Sequence, residues 1–179
     1  MIGCKDNGTG PAGGSGPYFP LQVGFNWNYK EIYPDTIQRT VRVTGAMQLN
    51  GKVYYSIQNM FPPTFKEHFP EESILIRTDG KNVYTYANGK ESCIFRFYAP
   101  KDSVWGWWLN DSALFGGVVI SDDDTVHTSF GLLKHCVTIE LWYNTGGSDW
   151  TFCPGIGIVK HADADRVEGE MSLLQTYSF

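Results

Sequence analysis

Apolar and polar positions alternate along most of the chain with a period of two, the pattern of strands that bury one face. Over Ile37–Leu49, the residues Ile37, Val41, Val43, Met47 and Leu49 share one face, and Gln38, Thr40, Arg42, Thr44 and Gln48 share the other. Gly45 interrupts the apolar face, a natural place for a bulge or bend. Asn50-Gly51 then gives the strongest short hairpin signal, and residues 52–57 run back. The rhythm continues through Ser73–Thr78, the turn Asp79-Gly80, Asn82–Ala87, the turn Asn88-Gly89 and residues 92–98. Residues 132–143 read as a long strand with His135, Val137, Ile139, Leu141 and Tyr143 on one face. A loop over 144–148 leads to a return beginning at 150–153, and residues 155–161 and 170–179 close the chain.

Strands joined by turns this short pair antiparallel. About ten to twelve of them exceed what a flat sheet holds, so an all-β fold is expected: a meander of hairpins curled into a half-barrel, barrel or sandwich. No stretch matches a helix of ordinary length, although a turn or two fits residues 64–68 before Pro70. The domain boundary is sharp. Residues 1–17 contain CKDNGTGPAGGSGP, which buries too little surface to offset the entropy of ordering and reads as a flexible tether. Residues 18–179 form a single antiparallel β domain.

Composition supports that division. Six Trp, ten Tyr and eleven Phe supply the large apolar areas a core requires. The net charge of −5 and the scattering of the 14 Lys and Arg residues exclude a phosphate-backbone grip, so nucleic acid is not an expected partner. No apolar run approaches the roughly 18–20 residues that span a bilayer as a helix.

Three segments carry a resemblance. Phe19-Pro20-Leu21-Gln22-Val23-Gly24-Phe25-Asn26-Trp27-Asn28-Tyr29 resembles the FPL-x-VG-x-x-W-x-Y opening of a broad family of uncharacterised bacterial exported lipoproteins. Pro154-Gly155-Ile156-Gly157-Ile158-Val159-Lys160 resembles their closing PG-[IV]-G-[LIV]-V-K motif, and the run VHTSFGLLKHCVTI from Val126 to Ile139 is similar to the segment preceding it. The resemblance implies an all-β fold and an envelope or surface location, with no activity to carry over. It gives Trp27 and Tyr29 the role of core plugs, and it puts Gly155 and Gly157 where the backbone bends or neighbours crowd; Cys153 departs from its pattern. Met1-Ile2-Gly3-Cys4 likewise resembles the end of a bacterial lipobox, and Lys5-Asp6 resembles a surface-export signal of some Bacteroidota lipoproteins. Cys4 is then the expected lipidation site and the only membrane link. A charged and apolar signal segment is expected upstream of Met1 if that reading holds; the bland alternative is an accidental cysteine in a spacer.

Candidate chemistry is sparse. The four cysteines form no C-x-x-C pair. With the turn near Gly146, the partner position of Cys136 falls near residue 156, which disfavours a Cys136–Cys153 bridge and favours free thiols. His161, Asp163 and Asp165 alternate after a strand and form a weak metal candidate; Asp122-Asp123-Asp124 is a second acidic turn. Solvated hairpin tips are the commoner meaning of both, and no cofactor is expected. Trp105, Trp107 and Trp108 fall in a stretch that reads as a loop. They either cap the core or form a ligand surface for a glycan, a lipid or a protein partner. No nucleophile elbow or phosphate loop is present. His68, His127, His135 and His161 are dispersed, and Glu67, Glu71 and Glu72 read equally well as a charged edge.

The resulting expectation is a lipid-anchored, non-catalytic protein of the bacterial envelope or surface, with a binding or organising role and the capacity to shelter an apolar ligand. A Trp-based carbohydrate-binding module and a subunit self-associating through edge strands are the alternatives.

Overall fold

A computed structural model describes residues 16–31, 37–61, 73–108, 114–143, 146–163 and 171–178. Twelve strands run in chain order: β1 (Asn26–Glu31), β2 (Ile37–Leu49), β3 (Lys52–Gln58), β4 (Ser73–Thr78), β5 (Asn82–Ala87) and β6 (Lys90–Arg96), then β7 (Val104–Trp108), β8 (Leu114–Thr128), β9 (Gly131–Tyr143), β10 (Gly146–Cys153), β11 (Gly157–Asp163) and β12 (Met171–Ser178). All pair antiparallel in one sheet ordered β6-β5-β4-β3-β2-β1-β12-β11-β10-β9-β8-β7. Consecutive strands therefore lie side by side in the sheet except β6 and β7. β12 returns to pair with β1, and β6 and β7 form the two edges although they are consecutive in the chain. The edges adjoin, with β6 lying against both β7 and β8, so the sheet curls into a nearly closed barrel. No helix occurs among the described residues.

Bulges let so long a sheet curl. Register slips between Val43 and Gly45, between Asn28 and Tyr29, between Val83 and Tyr84, and between Thr151 and Phe152. Each adds a residue on one strand and raises the local twist. The concave face is filled by aromatic side chains, among them Trp27, Tyr29, Phe95, Trp150 and Phe152, each no more than 1% exposed. Phe152 packs edge-on against Phe95 at 4.6 Å and Phe97 at 4.9 Å.

The opening and closing motifs meet at the splay between β11 and β12, whose ladder pairs only Lys160, His161 and Ala162 of β11. The indole N–H of Trp27 donates to the Ile156 carbonyl at 2.5 Å, and the Tyr29 hydroxyl donates to the Ile158 carbonyl at 2.8 Å. Gly157 has φ +100, and a Cβ there would stand 3.2 Å from Trp27 Nε1, so the crowding expected at this glycine is real.

Four expectations are corrected. The stretch holding the tryptophans is a strand, β7, because Val104, Trp105, Gly106, Trp107 and Trp108 alternate in burial once paired to β8. Asp122, Asp123 and Asp124 lie within β8 rather than at a turn. Its ladder to β9 slips three times between Val119 and Val126, which turns these charges outward without ending the strand. His135 does not share the buried face with Val137, Ile139 and Leu141: it sits at that irregularity with φ 59 and is 69% exposed, its Nδ1 2.8 Å from Asp123 Oδ1. The left-handed backbone turns this one side chain outward, while Leu133, Val137, Ile139 and Leu141 keep the buried face.

The fourth correction concerns the thiols. β10 begins at Gly146, with Tyr143 opposite Gly146 and Val137 opposite Phe152. Cys136 thus faces Cys153 directly, and the two form a disulfide. Extending the loop to Ser148 misplaced the register; the tighter connection brings the thiols together. Cys93 is a free thiol, partly buried. The expected turn at 64–68, the tether with Cys4, and Glu67, His68, Glu71 and Glu72 lie outside the described residues.

Candidate functional site

Pairing of β7 with β8 and β9 decides what each tryptophan can do. Strand alternation turns Trp105 and Trp107 toward the core, 5% and 7% exposed, and Trp108 outward, 50% exposed. Trp107 stacks on Phe115 at 5.6 Å, while the Arg96 guanidinium of β6 lies 5.5 Å from the Trp105 ring, bridging the two edges. Neither indole N–H of this inward pair has a hydrogen-bond partner among the described residues. Two of the three predicted binding residues therefore serve the core, and Trp108 alone faces solvent.

The glycines of β8 explain how indoles fit here. A Cβ on Gly117 would lie 2.5 Å from the Trp105 ring on the inner face, and a Cβ on Gly116 would lie 1.9 Å from the Trp142 ring on the outer face. Adjacent glycines thus seat one indole on each side of the sheet. Gly106, Gly116 and Trp142 form one outward row across β7, β8 and β9. Val104, Val118, Glu140 and Asp149 form the next, and Trp108 and Leu114 pair on the other side. Val104 at 66% and Leu114 at 37% exposure extend the apolar area around Trp108. Trp142 belongs to this surface and escaped sequence reading, because its position on β9 gives no hint that β8 offers it a bare glycine.

Electrostatics differ along this face. Asp149 stands directly opposite Glu140. Burial raises the Asp149 carboxyl pKa, the Glu140 charge adds to that, and Lys160 opposes it. On the outer face of β3 to β6 the opposite holds. Glu91 accepts two bonds from Arg77, at 2.6 and 2.7 Å, two from Lys52, at 2.9 and 3.2 Å, and another from the Tyr54 hydroxyl. The Arg77 hydrogen bonds lead in holding Glu91 down at about 2, and Arg77 also covers the Tyr84 ring at 3.8 Å. A carboxylate so saturated with donors fastens strands together and is poorly suited to proton transfer near neutral pH.

His161 is fully buried on β11, its ring 4.4 Å from that of Trp150. Burial pushes its pKa down to about 3, with Arg39 adding to the effect. The ring faces the core, away from any solvated ligand set. The Asp163 side chain and all of Asp165 lie outside the described residues, and among those described no three His, Cys, Asp or Glu side chains are grouped to hold a metal.

Taken together, these features define a nearly closed antiparallel barrel of twelve described strands, with aromatic side chains packed inside and an apolar, glycine-floored outer surface beside its β7 edge. No protein-family model matches the chain. No curated protein matches it in sequence. Two solved structures are similar. One is a Bacteroides fragilis protein described as exported and as having a YmcC-like fold, with TM-score 0.50 and 12% identity over 92% of this chain and 100% of its own. The other is a Parabacteroides distasonis protein described as a lipoprotein, with TM-score 0.42 and 13% identity over 91% of this chain and 99% of its own. At such identities the first likeness shows a shared fold.

Proposed function

We propose that this chain is the folded domain of an exported bacterial envelope lipoprotein, anchored through Cys4, that binds a ligand on its outer face and performs no chemistry itself. The observation that carries the reading is the Cys136–Cys153 disulfide between neighbouring strands. Structural disulfides of this kind persist in oxidising compartments and are rare in the reducing cytosol. Downstream of Cys4 in the sequence, the Pro17 carbonyl accepts from Gly155 N at 2.9 Å, which fixes the start of the folded domain beside the closing motif. Binding on the outside is favoured over an acyl chain within, since aromatic side chains occupy the interior. Lateral pairing is less favoured, because the edges β6 and β7 adjoin each other.

The test is expression from the native locus with an alkyne fatty acid in the medium, followed by fractionation and thiol alkylation. Lipid label on the wild type, its loss in Cys4→Ser, and protection of Cys136 and Cys153 from alkylation support the reading. An unlabelled cytosolic protein with both thiols reactive overturns it.

A further inference from the structure

The outer surface beside the β7 edge also carries information about ligand chemistry, given the reading that this face binds. Gly106 leaves a shallow depression: a Cβ there would meet only the Phe115 carbonyl at 3.4 Å and Leu114 Cδ1 at 3.8 Å. Trp142, seated over Gly116, bounds it on one side. Trp108 and Val104 flank it along β7, both at least half exposed. An exposed indole beside exposed aliphatic groups gains by covering its apolar face.

The next row supplies polar groups of one kind. Glu140 is two residues from Trp142 on the same face, and Asp149 is opposite it across the ladder. Neither carboxylate makes a hydrogen bond or ion pair with another described residue. Like charges placed directly opposite on neighbouring strands destabilise a sheet, and among the described residues Lys160 offsets this pair through space without bonding to either carboxylate. Carboxylates accept hydrogen bonds and cannot donate them. The complement is a molecule with an apolar face for the indoles and hydroxyl or ammonium donors at its rim. A pyranose ring has both, with C–H groups on its faces and hydroxyls around its edge. An anionic ligand is disfavoured, because Asp122, Asp123 and Asp124 lie on neighbouring β8 and the chain carries −5 overall.

We infer that Trp108, Trp142, Glu140 and Asp149 form a binding site for a non-anionic glycan chain. Its failure is separable from that of the proposed function, which is read by lipid labelling and thiol protection rather than by sugar binding.

The experiment titrates the purified chain with a neutral β-glucan hexamer, a glucosamine hexamer and an oligogalacturonate, read by tryptophan fluorescence and calorimetry. Saturable binding of the neutral or amine-bearing hexamer and none of the oligogalacturonate is expected. Trp108→Ala should weaken it about tenfold or more, with its thermal melt unchanged because this side chain is half exposed. Glu140→Gln should weaken the glucosamine hexamer more than the neutral one. Absence of binding by both non-anionic hexamers, equal binding by Trp108→Ala, or equal binding of oligogalacturonate overturns the proposal. So does a surface that takes a basic peptide and neither of those hexamers.

Discussion

The indole N–H of Trp27 donates to the main-chain carbonyl of Ile156 at 2.5 Å, joining β1 to the turn that opens β11 across the intervening β12. That carbonyl lies outside the β11–β12 ladder, whose pairing starts only at Lys160. A buried backbone acceptor must find a partner, and here a side chain supplies it.

Trp27→Phe keeps most of the apolar ring and removes the donor. It should cost about 1–3 kcal/mol, the usual penalty for stranding a buried polar group. Tyr29→Phe should act similarly through the Ile158 carbonyl. Urea denaturation followed by near-ultraviolet circular dichroism measures both. A loss below about 0.5 kcal/mol in each would mean that water reaches these carbonyls.

The glycine pair of β8 gives a second expectation. Gly117→Ala places a methyl group against the Trp105 ring, and Gly116→Ala places one against Trp142. Each should destabilise by about 1–3 kcal/mol through overpacking. Their optical signatures should differ. Gly116→Ala displaces a partly exposed indole and should red-shift emission more than Gly117→Ala, whose partner is buried.

The disulfide closes a loop with a sequence separation of 17. Cys136→Ser with Cys153→Ser should lower stability by about 3 kcal/mol, from the loop entropy returned to the unfolded chain. Peptide mapping of the unreduced protein should recover the Cys136–Cys153 pair, with Cys93 taking a thiol reagent once the chain is unfolded.

His161 makes the fold sensitive to acid. Its pKa is about 3 in the folded chain, against about 6.5 when unfolded. Between those values the unfolded state binds a proton that the folded state refuses, so stability falls as pH drops below about 6.5 and stops falling from this source below about 3. The slope is about 1.4 kcal/mol per pH unit, or roughly 2 kcal/mol between pH 7 and 5. Glu91, held at about 2, loses its contribution in the same direction, but only as the pH falls from about 4.5 to about 2. His161→Phe should flatten the profile between pH 7 and 5, whatever its effect at neutral pH. Equal slopes for variant and wild type would place the acid sensitivity elsewhere.

Much of the barrel can be read along the chain, because the information is local. Asn50-Gly51, Asp79-Gly80 and Asn88-Gly89 each fall between strands that pair as expected, and Gly45 lies at the bulge its position implied. Period-two alternation assigns faces wherever a strand is regular and covered on one side. The same rule misled at His135, where a left-handed backbone turns that one side chain out to solvent while Val137, Ile139 and Leu141 keep the buried face.

Turn chemistry and alternation determined the all-β class and most hairpins, since each depends on residues a few positions apart, while the burial of Trp27 and Tyr29 was implied by the resemblance of their motif. Only the folded chain decided that Cys136 meets Cys153, that β6 and β7 become neighbouring edges, and that Trp142 settles on Gly116 beside an outward Trp108. Those outcomes depend on register and closure, where a shift of one residue between strands changes every cross-strand neighbour, and no single segment encodes that choice.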